Sequence, residues 1–318
     1  MTGAKARRKI SRMGWIAIAL AVLPAALFGL WRYALSNNSV ALLDWADRQF
    51  GGNGGYRIAL ADGRYGPLGA HKVEVIVPDG TINEPRPVLL FIHGGGWHSG
   101  APGDYRFVGR QFARAGYVVV LPGYRLGAEG RYPHMLEDSA LAAGWTRDQA
   151  ARFGGDPERV FLIGHSAGAY NVVMLALERQ WLGRAGVPEG FVKGVVGLSG
   201  PYDFYPWTSE SARNAFGQVA DPKVTQPINH VRGDGPPMLL LTGDSDDTVK
   251  PRNSKVLAQA LSAAGQPTTP VVLAGVDHAG TIMKLAAPFN RDRRVLDPVL
   301  AFLAAHGGAS APVQAAGR

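Results

Sequence analysis

From residue 71 onward, short uninterrupted apolar runs alternate with longer segments whose apolar residues recur at helical spacing. The apolar runs fall at 73–77, 88–93, 117–121, 160–164, 194–199, 238–242 and 271–273, rich in Val, Leu and Ile and bounded by Gly and Pro. A run that is apolar at every position, rather than at every second one, suits a strand buried on both faces. Between these runs the spacing predicts helices at 105–115, 135–153, 167–178, 253–264 and 296–305. In the second of them Met135, Leu136, Ser139, Ala142, Ala143 and Trp145 follow helical spacing. Strand alternating with helix predicts an α/β fold, a mostly parallel central sheet with helices on both faces. Ligands of such sheets bind at the carboxyl ends of the strands.

The ends of the chain read differently. Residues 14–31 are an uncharged run of 18 residues, preceded by Lys5, Arg7, Arg8, Lys9 and Arg12 and followed closely only by Arg32. As a helix it would be about 27 Å long, enough to cross a bilayer. The basic flank predicts an amino terminus in the cytoplasm and everything after Tyr33 outside it, periplasmic or extracellular. A cleaved secretory signal, with Ala34-Leu35-Ser36 as the cleavage site, is the alternative, and a buried soluble helix is a third. Pro24 would kink a spanning helix without forbidding it. Residues 36–70, which include Gly51-Gly52-Asn53-Gly54-Gly55, read as a juxtamembrane linker with a helix around 42–50 and a flexible link after it. Residues 307–318 are rich in Ala, Gly and Pro without apolar period and read as a disordered tail. The expected organisation is therefore an anchor or signal at 1–35, the linker at 36–70, a folded domain at 71–306 and the tail.

Charge changes the picture little. The formal charge of +8 suggests an anionic partner, but six of the basic residues stand before residue 36 with no acid among them, leaving about +2 for the remainder. That is too little to argue for nucleic acid. With no cysteine, disulfides, thiol catalysis and thiolate metal sites are excluded.

Candidate chemistry sits at the ends of the apolar runs. The run at 160–164 ends in Gly164-His165-Ser166-Ala167-Gly168 and passes directly into a helical segment. Gly-x-Ser-x-Gly in that setting puts Ser166 on a sharp strand-to-helix corner, its hydroxyl exposed as a nucleophile. After the run at 88–93 comes His93-Gly94-Gly95-Gly96-Trp97. Consecutive glycines let the backbone approach a substrate oxygen and turn N–H groups toward it, so Gly95 and Gly96, with Ala167 after the nucleophile, are candidates for an oxyanion hole. A serine hydroxyl is a poor nucleophile until an imidazole, held in one tautomer by a carboxylate, takes its proton.

Acid and base are expected after Ser166, in that order. The run at 238–242 leads into Gly243-Asp244-Ser245-Asp246-Asp247-Thr248-Val249, and the run at 271–273 into Gly275-Val276-Asp277-His278. His278 is the candidate base; His71, His98, His134, His230 and His306 lack a strand-end setting with an acid upstream, His93 opens the glycine turn, and His165 is the variable residue of the elbow. Asp246 is the candidate acid and Asp247 the alternative, and the three neighbouring aspartates could instead hold a hard cation. No cofactor or metal is needed by this set of residues.

Taken together, 73–303 resembles the α/β-hydrolase superfamily, in particular its carboxylesterase and lipase-like branch related to hormone-sensitive lipase, arylformamidases and isoprenylcysteine methylesterases. The resemblance is carried by His93 to Trp97, Tyr124-Arg125-Leu126, Gly154-Gly155-Asp156-Pro157-Glu158-Arg159-Val160, Gly164 to Gly168, Gly243-x-x-Asp246-x-x-Val249 and Asp277-His278. It implies Ser166 as nucleophile, His278 as base, Asp246 as acid, and oxyanion N–H groups on Gly95, Gly96 and Ala167. It further implies hydrolysis of a small-molecule carboxylic ester through an acyl-enzyme. An arylformamidase-like amide hydrolase and a carbohydrate acetyl esterase are the alternatives, and a non-catalytic hydrolase-fold binding module is a third. His165 stands where hormone-sensitive-lipase relatives usually carry an aspartate, and Gly123 precedes Tyr124 where many relatives have another. Both departures weaken assignment to that lipase subgroup and leave the broader esterase resemblance intact.

Residues 200–235, the longest stretch between core strands, hold Tyr202, Phe204, Tyr205, Trp207 and Phe216. A small cap is expected there, with Trp97 and Tyr202 as substrate-binding candidates and ordinary packing of a long loop as the plainer alternative. Arg125 and Arg131 could address an anionic substrate group or form structural ion pairs.

Overall fold

In the computed structural model of the chain, residue 22 and residues 39–81 and 83–307 are described. The expected anchor at 14–31, Val22 apart, and the tail from 308 onward lie outside the described residues. Among the described residues no helix is long and apolar enough to cross a membrane. The chain divides into two units, Met1–Leu42 and Leu43–Arg318, and the sheet and site belong to the second.

Eight strands form one sheet: β1 (Tyr56–Arg64), β2 (Lys72–Pro78), β3 (Arg86–Ile92), β4 (Val118–Pro122), β5 (Gly155–His165), β6 (Val192–Leu198), β7 (Met238–Gly243) and β8 (Val271–Leu273). Their spatial order is β1-β2-β4-β3-β5-β6-β7-β8. β2 runs antiparallel to both its neighbours, and from β4 through to β8 every pairing is parallel. The accompanying α-helices among the described residues are α1 (Ser39–Phe50), α2 (Arg106–Arg114), α3 (His134–Gln149), α4 (Ala167–Leu177), α5 (Arg179–Arg184), α6 (Glu210–Phe216), α7 (Arg252–Ala263), α8 (His278–Met283) and α9 (Leu296–His306).

The seven apolar runs are strands β2 to β8, and the five inner ones from β4 to β7 are buried on both faces over their apolar stretches. Val88, Leu90 and Ile92 of β3 join Val160 and Leu162 of β5 in a core shared with α3, α4 and Leu257 and Leu261 of α7. The opposite face, with Ile76 and Phe161, is approached by α2 and α9: a Cβ at Gly109 would stand 2.5 Å from the Ile76 side chain, and one at Gly194 would stand 2.9 Å from Phe302. Helices therefore cover both sides, as the alternation predicts.

Strand order fixes where a site can form. The chain steps from β3 outward to β4 and then back past β3 to β5, so the loops leaving β3 and β5 diverge to opposite faces and open a crevice at their carboxyl ends. The glycine loop follows β3 and Ser166 follows β5.

Two expectations need correction. The flexible link after residue 50 contains β1, nine residues paired with β2 through two register shifts. As an edge strand it is half-exposed on both faces, so it has neither a continuous apolar run nor a clean alternation to betray it. The helix expected at 135–153 ends at Gln149; a 3₁₀ turn (Ala150–Phe153) follows, closed by Gly154 in the left-handed conformation at φ 78°.

From Leu43 on, helix α1 is tied to the rest of the second unit by a buried ion cluster. Arg110 Nε and Nη2 reach Asp47 at 2.6 Å and Asp44 at 2.7 Å, and Asp47 also accepts from the Ala287 N–H at 2.7 Å.

Candidate active site

Ser166 stands between β5 and α4, at the N-cap of the helix, with φ 55° and ψ −119°, a backbone region costly for any residue with a Cβ. Two glycines make the corner possible. A Cβ at Gly164 would stand 2.3 Å from Gly168 O, and one at Gly168 would stand 2.0 Å from Ile92 O. The corner is pinned by the Ser166 N–H to Leu198 O at 2.8 Å, so the strained residue is over-determined by its neighbours.

His278 opens α8, whose first turn is capped by Asp277 accepting from the Gly280 N–H at 2.7 Å. Its ring bridges the two other predicted residues: Nε2 lies 2.9 Å from Ser166 Oγ and Nδ1 lies 2.8 Å from Asp246 Oδ2. The other oxygen of Asp246 accepts from the N–H groups of Thr248 at 3.0 Å and Val249 at 2.8 Å. Burial pushes the Asp246 carboxyl up, but the His278 hydrogen bond and charge, the Val249 N–H and the Ser199 hydroxyl outweigh it and hold the group below the usual carboxylate range. An ionised carboxylate only accepts, so Nδ1 carries the proton and Nε2 accepts from the Ser166 hydroxyl.

Asp247, the alternative acid, points outward to Lys250. Asp244 accepts from Ser245 Oγ and from the Gly275 N–H, tying the acid loop to the base loop. The three aspartates thus diverge, and among the described residues no group of His, Asp or Glu is arranged to hold a metal ion.

The glycine loop lies against the elbow: a Cβ at Gly94 would stand 3.3 Å from Ser166 Cβ. Gly95 and Gly96 have φ of 109° and 59°, conformations open to glycine, and the N–H groups of Gly95, Gly96 and Ala167 donate to no protein acceptor among the described residues. The loop is held from behind by His93, which is stacked on Tyr124 and Tyr105 and whose Nδ1–H donates to Gly94 O at 2.7 Å. Burial lowers the His93 pKa to about 4, so it stays a neutral donor. Across a trans peptide the C=O and the next N–H point opposite ways, so fixing Gly94 O fixes the direction of the Gly95 N–H.

The substrate-binding candidates are placed otherwise than expected. Tyr202 is fully buried, its hydroxyl packed where a Cβ at Gly197 would come within 2.0 Å. Trp97 is 5% exposed, donates Nε1–H to Asn171 Oδ1 at 3.2 Å, and packs against Tyr170, Phe204 and Phe216. Rings of this size contribute more by burial than by standing open at a mouth, which is why these two join the core. Arg125 is taken up by Asp138 at 2.7 Å and Glu137 at 3.2 Å, and Asp138 also meets His71 Nε2 at 3.0 Å. Arg131 is exposed.

Residues that sequence reasoning passed over also meet here. His165, taken as the variable residue of the elbow, bonds the base loop, and Ser199, at the end of β6 with φ 50°, meets Thr281 Oγ1 at 3.1 Å. Neither carries a local signal, because each acts on a residue more than 80 positions away.

Fold and site together define an α/β-hydrolase of the carboxylesterase-like kind. Residues 73–261, more than half of the chain, match the BD-FAE family, and the chain belongs to that family. Among curated proteins it is similar to isoprenylcysteine alpha-carbonyl methylesterase ICME of Arabidopsis thaliana, 25% identical over 245 residues that cover 69% of this chain and 56% of the relative. It is also similar to esterase LipQ of Mycobacterium tuberculosis, 27% identical over 270 residues that cover 78% of this chain and 62% of the relative. The chain thus spans less than two-thirds of the length of these relatives. Among solved structures, a truncated carbohydrate esterase from gut microbiota shares the fold with a TM-score of 0.70 at 20% identity, covering 81% of this chain and 99% of that one. The metagenomic carboxylesterase EstE1 does so with a TM-score of 0.68 at 21% identity, covering 85% and 95%.

Proposed function

We propose that this chain is a serine carboxylesterase that cleaves small-molecule carboxylic esters through an acyl-enzyme on Ser166. The observation that carries the reading is the unbroken path from Asp246 Oδ2 to His278 Nδ1 at 2.8 Å and from His278 Nε2 to Ser166 Oγ at 2.9 Å. The names of the relatives, a methylesterase and an esterase, agree with it. A binding module has no need of a strained serine with a base in register, so the path also argues against the non-catalytic alternative.

In this mechanism Ser166 Oγ bonds the ester carbonyl carbon while its proton passes to His278 Nε2, and the carbonyl electron pair moves onto oxygen. The N–H groups of Gly95, Gly96 and Ala167 receive that oxyanion. The C–O bond to the alcohol breaks as the alcohol oxygen takes the proton from Nε2. Water then attacks the acyl-enzyme with Nε2 again accepting a proton, and the acid leaves as Ser166 regains its hydrogen. Asp246 keeps the ring in the productive tautomer throughout and offsets the imidazolium charge.

Residues 200–235 serve as a small cap: Ser211 of α6 stands 3.0 Å from where a Cβ of Gly96 would be, which sets that helix beside the glycine loop. Acetylated carbohydrate is the second reading of the substrate, favoured by the carbohydrate esterase among the structural neighbours. The run at 14–31 is read as a single membrane anchor that leaves the catalytic domain outside the cytoplasm, with secretion after signal cleavage as the alternative; its basic flank supports this. Alkaline washing of membranes releases a secreted or peripheral form and leaves an anchored one behind.

The test of the activity is the full chain against Ser166→Ala. Wild-type protein is expected to hydrolyse p-nitrophenyl acetate and to react with a fluorophosphonate, and the variant to do neither; labelling retained in the variant overturns the assignment. A panel of p-nitrophenyl acetate to decanoate, acetylated sugars and N-formylkynurenine then separates carboxylesterase, acetyl esterase and arylformamidase-like behaviour.

A further inference from the structure

Two consecutive residues of the elbow both bond residue 278, and only one of them is accounted for by acyl transfer. Ser166 Oγ meets the His278 ring at Nε2, 2.9 Å away, while His165 Nε2 meets the His278 carbonyl oxygen at 3.2 Å. The two imidazoles lie with centroids 5.0 Å apart, tilted by 40°. We propose that His165 is a positioning residue, a tether that fixes the backbone of the catalytic base relative to the nucleophile elbow. This rests on the esterase reading of Ser166 and His278.

The need for such a tether follows from how the base loop is held. On its acid side it is bound by Asp244 N–H to Leu273 O at 3.0 Å, Ser245 N–H to Val276 O at 3.1 Å and Gly275 N–H to Asp244 Oδ1 at 2.8 Å. Within the loop Thr281 Oγ1 donates to the same His278 carbonyl at 3.0 Å and meets Ser199 Oγ, just after β6, at 3.1 Å. These bonds register the base with the acid and with β6, and none registers it with β5 or α4. Among the described residues the hydrogen bonds from the elbow to residue 278 are those of Ser166 Oγ and His165 Nε2. The first must loosen and re-form as the proton moves in each half-reaction, whereas the second holds through the cycle. A misplacement of about 1 Å between reacting groups can cost about 10²-fold in rate, so a fixed second point is valuable here.

His165 suits the task chemically. A carbonyl oxygen only accepts, so Nε2 carries the proton and donates it. The other nitrogen, Nδ1, is buried without a hydrogen-bond partner, 3.1 Å from where a Cβ of Gly94 would stand. A second proton there would be desolvated and would repel the imidazolium that forms on His278. Burial, and then the neighbouring His278, hold the His165 pKa down to about 3, so the tether is uncharged while the base cycles.

The experiment compares wild-type full chain with His165→Gln, which keeps a donor at a similar reach, and His165→Leu, which keeps bulk without one. For p-nitrophenyl acetate, His165→Leu is expected to lower kcat about 10-fold or more with KM within twofold, and to slow fluorophosphonate labelling to the same degree. His165→Gln is expected to recover kcat to within about threefold of wild type, whatever the two variants do to Tm. Equal kcat in His165→Leu and wild type, or equal loss in both variants, overturns the tether. If His165→Leu does not fold, His165→Met, unbranched and without a donor, takes its place with the same expectations. Wild-type protein that neither hydrolyses the ester nor takes the label overturns the esterase reading and the tether with it. Active wild type with unimpaired His165→Leu or Met overturns the tether alone.

Discussion

Asp246 Oδ2 lies 2.8 Å from His278 Nδ1, while the side chain of Asp246 is wholly withdrawn from solvent and that of the imidazole is 18% exposed. Asp246 is therefore the buried end of the pair and His278 its partly solvent-facing end. Asp247, one residue on, is exposed and pairs with Lys250. Adjacent side chains on a turn point to different sides, and only one of two neighbouring aspartates can serve the ring.

Replacing the two in turn tests that division. Asp246→Asn keeps the shape but loses the charge that selects the Nδ1–H tautomer, and kcat for p-nitrophenyl acetate is expected to fall by roughly 10³ to 10⁴. Asp247→Asn is expected to stay within about twofold, since an exposed ion pair contributes little. Similar losses in both variants would show that the acid has been misassigned.

Gly95 has φ 109°, and a Cβ there would stand 2.1 Å from Ser99 O. Gly95→Ala cannot keep this backbone, so the N–H that should meet the oxyanion is turned away. The expected result is a kcat lower by about 10² to 10³ with labelling of Ser166 also slowed. A kcat within threefold of wild type would remove Gly95 from the oxyanion hole.

Buried His93 and His165 give stability a definite pH dependence. Burial lowers the first from 6.5 to about 4 and, with His278 adding to it, the second to about 3. Between pH 6.5 and about 4 the unfolded chain binds protons that the folded chain refuses, so stability falls as pH drops through that window and is fully present above it. Each histidine contributes a loss of about 1.4 kcal/mol per pH unit. Thermal unfolding followed from pH 7.5 to 4.5 should show Tm declining below about 6.5, less steeply in His165→Gln. A flat Tm over that range contradicts the burial of neutral imidazoles.

Arg110 is 2% exposed between Asp44 and Asp47. Arg110→Met removes the buried cation that both carboxylates share, leaving Asp47 to the Ala287 N–H and Asp44 to the more exposed Arg48 at 3.4 Å, and is expected to destabilise the protein by about 3 kcal/mol in urea unfolding. Adding Asp44→Asn and Asp47→Asn to it should restore part of that loss. No recovery in the triple variant would mean that the packing of the Arg110 stem, rather than its charge, holds the Asp44–Asp47 turn in place.

Much of the fold was legible because its signals are local. Strands β2 to β8 are short enough and apolar enough to stand out as runs, and Gly164, Ser166 and Gly168 mark a corner that few other spacings allow. β1 was not legible: Tyr56–Arg64 has both faces partly in solvent, so neither apolar period is strong, and its pairing with Lys72–Pro78 supplies what its own sequence lacks. Tyr202 and Trp97 were misplaced for a related reason. An aromatic side chain in a long connection looks the same in sequence whether it lines a mouth or fills a core, and only the packing around Gly197 and Phe216 decides.

Chain order and strand-end context by themselves determined that Ser166, an aspartate of the 244–247 loop and His278 would stand at one edge of a wound sheet, since a parallel sheet sends all its carboxyl-terminal loops the same way. Tertiary structure alone decided which aspartate faces the ring, that His165 reaches the His278 carbonyl across the site and how His93 aims the glycine loop. Those are matters of fractions of an ångström between residues up to 113 positions apart. Hydrophobic patterning acts over a few residues and has no means of recording distances of that kind; close packing does.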